Sequence, residues 1–470
     1  MTDFPDSEVV YLEQSDKLYP IKHKELLTAL LSGFLIFLAW RMEQTDQMTA
    51  AIITYICTFI IGGFAYTKKG IFKAGKSKQM NIEILLILAA GIACVIGYWT
   101  YGTLMIFILA ISQSLQSYMM QQSEKELSKL FKWMPNEAAL VRGGFDPMKV
   151  PVETVKVDDH IFVKTGESIP ADGVILKGIL SVDESMITND PTPISKEKGD
   201  VVFAGSINLN GRATINVTKN GTDSLLQKMM AMIQTARNEK TDTQKFIERF
   251  EQIYLYTLLV LVGLMFFLPH FLFDWEWNIT IYRAVTFFVV ATPSAFIASA
   301  LPTTFAAIST CVRQGVFVKS GRHLEKLSSL ETIVSKQMDL SSKEVELGQL
   351  GIQVVGEQER NTNRELALIS NDKEGPFTGI QLMMSDPYKL ESDNGDIIFL
   401  RNHLSQLIDT ITLYKKMQKI IKQNLLVSIV IIVLLILLNF FQLITLPIAT
   451  MIHEIGVIIV IGNGLRCLHE

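Results

Sequence analysis

Long apolar runs constrain this chain more than any other feature. A run of about 18 or more apolar residues with few charges is long enough to cross roughly 30 Å of hydrocarbon as a helix. The sequence holds about eight such runs, at 26–42, 49–66, 82–99, 101–120, 253–273, 281–310, 424–442 and 445–463. Pro293 and Pro302 interrupt the sixth run. The pattern predicts an α-helical polytopic membrane protein with about eight transmembrane helices.

The composition excludes several other classes of protein. Hydrophobic residues make up 49% of the 470 residues and charged residues 19%, against roughly 25% charged in a soluble protein. The net charge of −4 gives no basic footprint for nucleic acid, so we expect no nucleic-acid partner. None of the 4 cysteines lies in a C-x-x-C pair, which argues against a disulfide scaffold or a thiolate metal module. Membrane lipid is an expected partner.

The distribution of Lys and Arg predicts the orientation. The second connection between apolar runs is rich in lysine, and the sixth is rich in both types; the residues are Lys68, Lys69, Lys73, Lys76 and Lys78, then Arg313, Lys319, Arg322 and Lys326. The fifth connection carries Asp274 and Glu276 and no Lys or Arg. Because basic connections stay on the cytoplasmic side, we expect a multi-pass cell-membrane protein with both termini cytoplasmic.

Two connections are long enough to fold as domains. The predicted order is a cytoplasmic N-terminal segment 1–25, helices 1–4 over 26–120, a small β-rich cytoplasmic domain over 121–250, helices 5–6 over 251–312, a soluble segment over 313–423 and helices 7–8 over 424–464. The second soluble segment has strand-like runs at Gly351–Val355 and Asp396–Leu400. It contains no glycine-rich phosphate loop, and it is short for a catalytic domain plus a nucleotide-binding domain.

Several colinear strings carry a family resemblance. They are GESIPADG at Gly166–Gly173, VDESMIT at Val182–Thr188, KGDVVFAGSIN at Lys198–Asn208, RQGVFVKSG at Arg313–Gly321 and GNGLR at Gly462–Arg466. They resemble strings of the heavy-metal-transporting P-type ATPases, up to about Leu330 and again from near Asp396. The resemblance implies an actuator-like domain over 121–250 and a truncated α/β remnant of the phosphorylation domain over 313–423.

The chain departs from that family where the chemistry occurs. The family phosphorylates the Asp of D-K-T-G-T, and this chain has Lys336 at that position. An ammonium of pKa about 10.4 cannot carry an acyl phosphate. The T-G-E-S loop reads Thr188–Pro191, so Asn189 and Asp190 replace its Gly and Glu. The magnesium loop G-D-G-x-N-D and a nucleotide-binding insertion are absent from the sequence. The resemblance therefore implies degenerate catalytic positions and no catalytic residue of the chain's own.

The candidate metal ligands lie in the apolar runs. The family has C-P-C in its sixth helix, and this chain has Thr292-Pro293-Ser294, which keeps the proline and replaces both thiols by hydroxyls. The other interpretation is a kink whose hydroxyls bond helix carbonyls. His453 and Glu454 lie inside the last apolar run, where ionisable groups indicate function. They bind a divalent metal ion or ligand, or they form an internal pair or a contact with an adjacent subunit.

Two functional hypotheses follow. The leading one is a catalytically inactive P-type ATPase-like membrane protein that acts as a regulatory, scaffolding or ligand-sensing subunit, with a membrane or cytoplasmic protein partner. The alternative is a heavy-metal cation transporter of the same family, passive or energised by a partner. The lysine cluster Lys68–Lys78 either receives the metal or its carrier, as in the family, or follows the positive-inside rule and attracts anionic lipid.

Overall fold

A computed structural model describes residues 21–76, 82–131, 135–142, 146–185, 192–224, 227, 235–236, 239, 241–328, 330–335, 344–356, 366–370, 380–384, 396–399 and 404–468. Lys336, Asn189 and Asp190, the degenerate catalytic positions predicted from the sequence, lie outside these residues. Lys78 also lies outside them, whereas Lys68–Lys76 fall within a helix.

The elements of the described residues alternate between long helices and two groups of strands. The helices are α1 (Ile21–Gln44), α2 (Met48–Lys76), α3 (Ile82–Val95), α4 (Trp99–Phe131), α5 (Asp242–Phe273), α6 (Trp277–Val290), α7 (Ser294–Arg313), α8 (Gly321–Ser328), α9 (Glu344–Gln349), α10 (Leu404–Phe440) and α11 (Leu446–Gly464). The strands are β1 (Glu137–Val141), β2 (Met148–Pro151), β3 (His160–Val163), β4 (Gly173–Asp183), β5 (Ile194–Lys196), β6 (Val201–Val202), β7 (Ile207–Val217), β8 (Val316–Val318), β9 (Thr332–Ser335), β10 (Gln353–Gly356), β11 (Leu366–Ser370), β12 (Ile380–Met384) and β13 (Ile397–Phe399).

The apolar helices confirm a multi-pass membrane protein. Within the described residues, 6 segments are long and apolar enough to span a membrane: Leu26–Gln44, Trp99–Met120, Asp242–Phe273, Trp277–Arg313, Ser405–Phe440 and Leu446–Leu468. Two further apolar helices, Met48–Phe64 and Ile82–Val95, fall short of that length. All eight predicted runs are thus helical, although two are shorter than a full span.

The chain divides into two compact units. The first holds Met1–Gln121, Phe246–Ala300 and Lys422–Asn463, and the second holds the remainder. In the first unit, small and large apolar side chains of α3, α4 and α6 share a core, which includes Ala90, Ala93, Met105 and Phe288. In the span Trp277–Arg313, 78% of the most apolar stretch is buried, against 17% in Asp242–Phe273. The interrupted sixth run is therefore the most enclosed of the spans.

Part of the second unit is an antiparallel sheet domain. Its strand order is β2-β1-β3-β7-β4-β5, with β6 paired to β4. Buried residues alternate along the strands, so one face carries a core that includes Ile161, Ile175, Leu180 and Ile215. Inside β7, where Gly211 pairs with Leu180 of β4, the backbone needs a glycine, because φ is +93° and a Cβ would lie 2.1 Å from the Ile179 carbonyl oxygen. This domain confirms the small β-rich domain predicted from the sequence.

The other part of the second unit is an α/β domain. Its strand order is β10-β9-β11-β12-β13-β8. The first five strands run parallel, and β8 pairs antiparallel with β13 at the edge. Numbered from β9, the parallel strands have the order 2-1-3-4-5, which is typical of doubly wound sheets. In such sheets the ligand crevice lies at the carboxyl ends of the strands on either side of the order reversal, here β9 and β11.

Candidate metal site in the membrane helices

A break in the sixth apolar run places polar side chains inside the first unit. Helix α6 ends at Val290, and α7 begins at Ser294. Pro293 has no N–H to donate, and it disfavours helical geometry in the residue before it. Before Pro293, the Thr292 N–H donates to the Val289 carbonyl at 3.3 Å. Pro293 therefore interrupts this run as predicted, whereas Pro302, which was predicted to interrupt it as well, lies inside α7.

The break presents two hydroxyls to one imidazole. Ser294 Oγ lies 2.9 Å from His453 Nε2, and Thr292 Oγ1 lies 3.2 Å from the same nitrogen. Thr292 Oγ1 also donates to the Val289 carbonyl at 2.8 Å. Thr292 is 1% exposed and His453 is 3% exposed. Three of the four predicted metal-site residues thus meet in one cluster, contributed by α11, the break and the first residue of α7. Thr292 and His453 are buried, and Ser294 is partly buried.

The spacing of these atoms suits a small divalent ion. A tetrahedral zinc ion with bonds of about 2.0–2.1 Å places neighbouring ligand atoms roughly 3.3 Å apart. The separations from His453 Nε2, at 2.9 and 3.2 Å, fall within a few tenths of an ångström of that value. Shifts of that size are within the reach of side-chain rotation. Each hydroxyl oxygen thus lies at a separation from the imidazole nitrogen that a shared ion would allow, and the same separations are those of the hydrogen bonds that join the hydroxyls to it.

Glu454 belongs to a second polar cluster. Ser112 Oγ donates to Glu454 Oε2 at 2.5 Å, and Gln116 Nε2 donates to the same oxygen at 3.1 Å. Gln116 Nε2 also lies 2.9 Å from Ser112 Oγ. Glu454 is 6% exposed. Consecutive residues of a helix point about 100° apart, so His453 contacts the break and Glu454 contacts α4.

The structure separates the predictions for this region. No hydrogen bond or ion pair joins His453 to Glu454 in the described part of the chain, so the internal His–Glu pair is absent there. The helix-carbonyl bond expected of a kink is present at Thr292. Sequence reasoning missed Ser112 and Gln116. Their spacing of four residues places both on one face of α4, and that signal was available in the sequence.

Soft ligands are scarce around this site. The described residues contain no group of three or more His, Cys, Asp or Glu side chains placed to hold a metal ion. Hydroxyl oxygens are harder and weaker ligands than thiolates, and imidazole suits zinc, nickel and related ions. The donor set therefore favours a borderline divalent cation, held less tightly than in a thiolate site.

Comparisons with known proteins point in one direction. Residues 132–234 match the P-type ATPase actuator domain. A zinc-transporting ATPase of Bacillus subtilis is 41% identical over 312 residues, which are 66% of this chain and 48% of that protein. A cadmium-transporting ATPase of Staphylococcus aureus is 28% identical over 328 residues, which are 70% of this chain and 45% of that protein. The chain spans about half the length of these curated relatives.

Two further comparisons complete this group. A probable cobalt/nickel-exporting P-type ATPase of Mycolicibacterium smegmatis is 31% identical over 317 residues, which are 67% of this chain and 48% of that protein. Among solved structures, a zinc-transporting PIB-type ATPase in its E2.Pi state aligns with 95% of this chain and 100% of that chain. Its TM-score is 0.48 and its sequence identity is 17%.

Proposed function

The chain belongs to the heavy-metal P-type ATPase family, and from that premise we propose that it carries a divalent heavy-metal cation through its membrane helices, passively or energised by a partner protein. The cation would bind Ser294, Thr292 and His453. The observation that carries the proposal is the pair of hydroxyls that a broken, buried helix presents to a single imidazole.

The names of the relatives support the choice of cation. They are a zinc-transporting ATPase, a cadmium-transporting ATPase and a probable cobalt/nickel exporter. An imidazole with two hydroxyl oxygens is compatible with zinc, cobalt and nickel. It is a poorer match to cadmium and other soft ions, since no thiolate takes part. We therefore place zinc, cobalt and nickel ahead of cadmium as the substrate.

The test is metal binding by the full chain in lipid nanodiscs. Equilibrium dialysis with Zn²⁺ and Co²⁺ should show saturable binding, and His453→Ala should weaken it by more than about tenfold. Ser294→Ala should weaken it as well. Ser428→Ala is the matched control, because Ser428 is a buried serine whose hydroxyl donates to the Asn424 carbonyl of its own helix. Equal metal binding by wild type and His453→Ala would contradict the proposed site.

Carriage is tested separately from binding. Proteoliposomes loaded with a metal-sensitive dye should take up Zn²⁺ faster than empty vesicles, and His453→Ala should reduce that difference. If the wild type binds the metal and no flux is detected under any added energy source, the second candidate function applies. That candidate is a regulatory or metal-sensing subunit, and Lys336 at the family's phosphorylation position favours it.

We also propose that both termini are cytoplasmic. The basic connections around Lys68–Lys78 and Arg313–Lys326 support this orientation through the positive-inside rule. Reporter fusions at Glu470 and in the acidic connection near Asp274 should report opposite sides of the membrane. Reports from the same side at both positions would contradict the orientation.

A further inference from the structure

Helix α10 continues without interruption from a basic stretch into an apolar one. It runs from Leu404 to Phe440 as one helix. Four lysines, Lys415, Lys416, Lys419 and Lys422, precede the apolar part, and no acidic residue occurs between Lys415 and Phe440. The positive charge of this stretch is therefore not offset by any carboxylate of the helix's own between those residues.

The four lysines differ in their surroundings. Lys415 donates to the Leu350 carbonyl, and Lys416 also has an interaction partner. Lys419 and Lys422 are exposed. Neither the Lys419 nor the Lys422 ammonium group makes a hydrogen bond or an ion pair with another residue in the described ranges. The two ammonium groups nearest the apolar part are therefore available to an external anion.

These two lysines share a helix face with exposed apolar side chains. The face continues through Leu426, Val430, Val433 and Leu437, which are 63%, 57%, 50% and 50% exposed. The spacings of three and four residues keep all six side chains within an arc of about 80°. Leu426 to Leu437 spans about 16 Å at 1.5 Å per residue, roughly half of a hydrocarbon core of about 30 Å.

That combination matches the shape of one phospholipid. An anionic headgroup pairs with lysine ammonium groups, and acyl chains pack along an apolar stripe one leaflet long. Lys422 precedes Leu426 by about 6 Å of helix rise, and a lysine can lay its stem along apolar surface while its ammonium extends toward the headgroups. We propose that the face of Lys419, Lys422, Leu426, Val430, Val433 and Leu437 binds an anionic phospholipid.

The positive-inside rule alone would also place lysines at this end of the helix, but it asks only for charge near the membrane. It does not require that the exposed lysines align with the lipid-facing stripe, or that they lack protein partners. Membrane attraction of about 1 kcal/mol per lysine corresponds to roughly fivefold in affinity. Loss of both ammonium groups should therefore weaken lipid binding on the order of 25-fold.

The experiment measures thermal stabilisation of the purified full chain in detergent as lipid is titrated. Phosphatidylglycerol should raise the melting temperature saturably, and phosphatidylcholine with the same acyl chains should raise it less. Lys419→Gln/Lys422→Gln should need about 25-fold more phosphatidylglycerol, and each single variant about fivefold more. Lys419→Arg/Lys422→Arg should behave as the wild type, because the charge is kept.

Lys177→Gln/Lys198→Gln is the matched control. It makes the same charge change at two exposed lysines of the antiparallel sheet domain, and it should leave the titration unchanged. Three outcomes would overturn the proposal. The first is that phosphatidylcholine stabilises the chain as strongly as phosphatidylglycerol, and the second is that soluble glycerol phosphate stabilises it as strongly as the lipid. The third is that the α10 glutamine variants, with wild-type melting temperatures in lipid-free detergent, need no more phosphatidylglycerol than the wild type.

Discussion

His453 and Glu454 are adjacent residues that act on different neighbours. His453 contacts Ser294 and Thr292 at the helix break, whereas Glu454 accepts hydrogen bonds from Ser112 and Gln116. The sequence predicted Thr292 and Ser294 as one candidate for metal binding and His453 and Glu454 as another. It could not show which of them meet, because the rotation of α11 about its axis, relative to α4 and the break, is fixed by packing and not by the local sequence pattern.

This separation makes a prediction about Glu454. Glu454→Gln keeps an oxygen that accepts from Ser112, so the α4–α11 contact should survive. We expect the zinc affinity of Glu454→Gln to fall by less than about threefold, far less than the loss of more than about tenfold expected for His453→Ala. Equilibrium dialysis in nanodiscs measures both. A Glu454→Gln variant that loses as much zinc affinity as His453→Ala would indicate that the Glu454 carboxylate takes part in metal binding.

A buried ion pair in the antiparallel sheet domain gives a second prediction at this scale. Lys196 Nζ lies 3.0 Å from Glu184 Oε1, and the two side chains are 7% and 0% exposed. Lys196→Met leaves a buried carboxylate without its cation, which should cost about 3–5 kcal/mol of stability. Lys198→Met, at an exposed position two residues away, is the control. Thermal unfolding compares them, and equal midpoints would contradict the assignment.

His323 predicts how stability depends on pH. Burial lowers the pKa of His323, although the Asp396 carboxylate, 3.2 Å away, pulls the other way. A histidine with a lowered folded pKa stabilises the fold above its unfolded pKa of about 6.5, and this contribution is lost as the pH falls through the folded pKa. Wild type should therefore lose melting temperature between about pH 7 and pH 5. His323→Gln should lose less, and parallel curves would contradict the assignment.

At the scale of elements, the hydropathy pattern predicted where the helices lie better than how long they are. The run predicted at 82–99 is helical only from Ile82 to Val95, because the chain turns at Gly97, where φ is +98°. A sliding apolar pattern continues through such a turn, since its residues are also apolar. The interruption of the sixth run at Pro293 was predicted correctly, because proline removes a backbone donor and the sequence displays it. The interruption predicted at Pro302 was wrong, since α7 continues through that residue.

The contact between α3 and α4 depends on one glycine. A Cβ at Gly102 would lie 2.5 Å from Cys94 Sγ and 2.6 Å from the Ala90 carbonyl oxygen. Small residues allow such close approach between membrane helices. Gly102→Ala should destabilise the chain by about 1–3 kcal/mol and lower its melting temperature in detergent. Gly263→Ala, in α5 with no atom near its Cβ, is the control and should not.

At the scale of the whole molecule, the α/β domain was the least predictable part. Two strand-like runs were recognised in the sequence, and they became β10 and β13. The described residues form a sheet of 6 strands, several of them three to five residues long. Pairing in a parallel sheet joins strands distant in sequence, so short strands without a glycine-rich motif leave little local signal. The domain boundaries themselves stay predictions.

The doubly wound sheet permits a prediction about phosphoryl transfer. Strand β9 ends at Ser335, and the next residue in the sequence is Lys336. Since an ammonium cannot form an acyl phosphate, incubation with γ-labelled ATP should leave no hydroxylamine-labile label on the purified chain. The zinc-transporting relative from Bacillus subtilis serves as a positive control. A labelled band that hydroxylamine removes would show that another carboxylate takes the phosphate.

The helix break also has a consequence for biogenesis. Ser294 and His453 are 159 residues apart, so a ribosome that adds about 5–20 residues per second delivers the imidazole roughly 10–30 s after the hydroxyls. During that interval the hydroxyls of Thr292 and Ser294 lack the His453 imidazole. The bond from Thr292 to the Val289 carbonyl lies within its own turn, so it satisfies that hydroxyl from the moment of insertion. The contact of both hydroxyls with His453 can form only when α11 arrives.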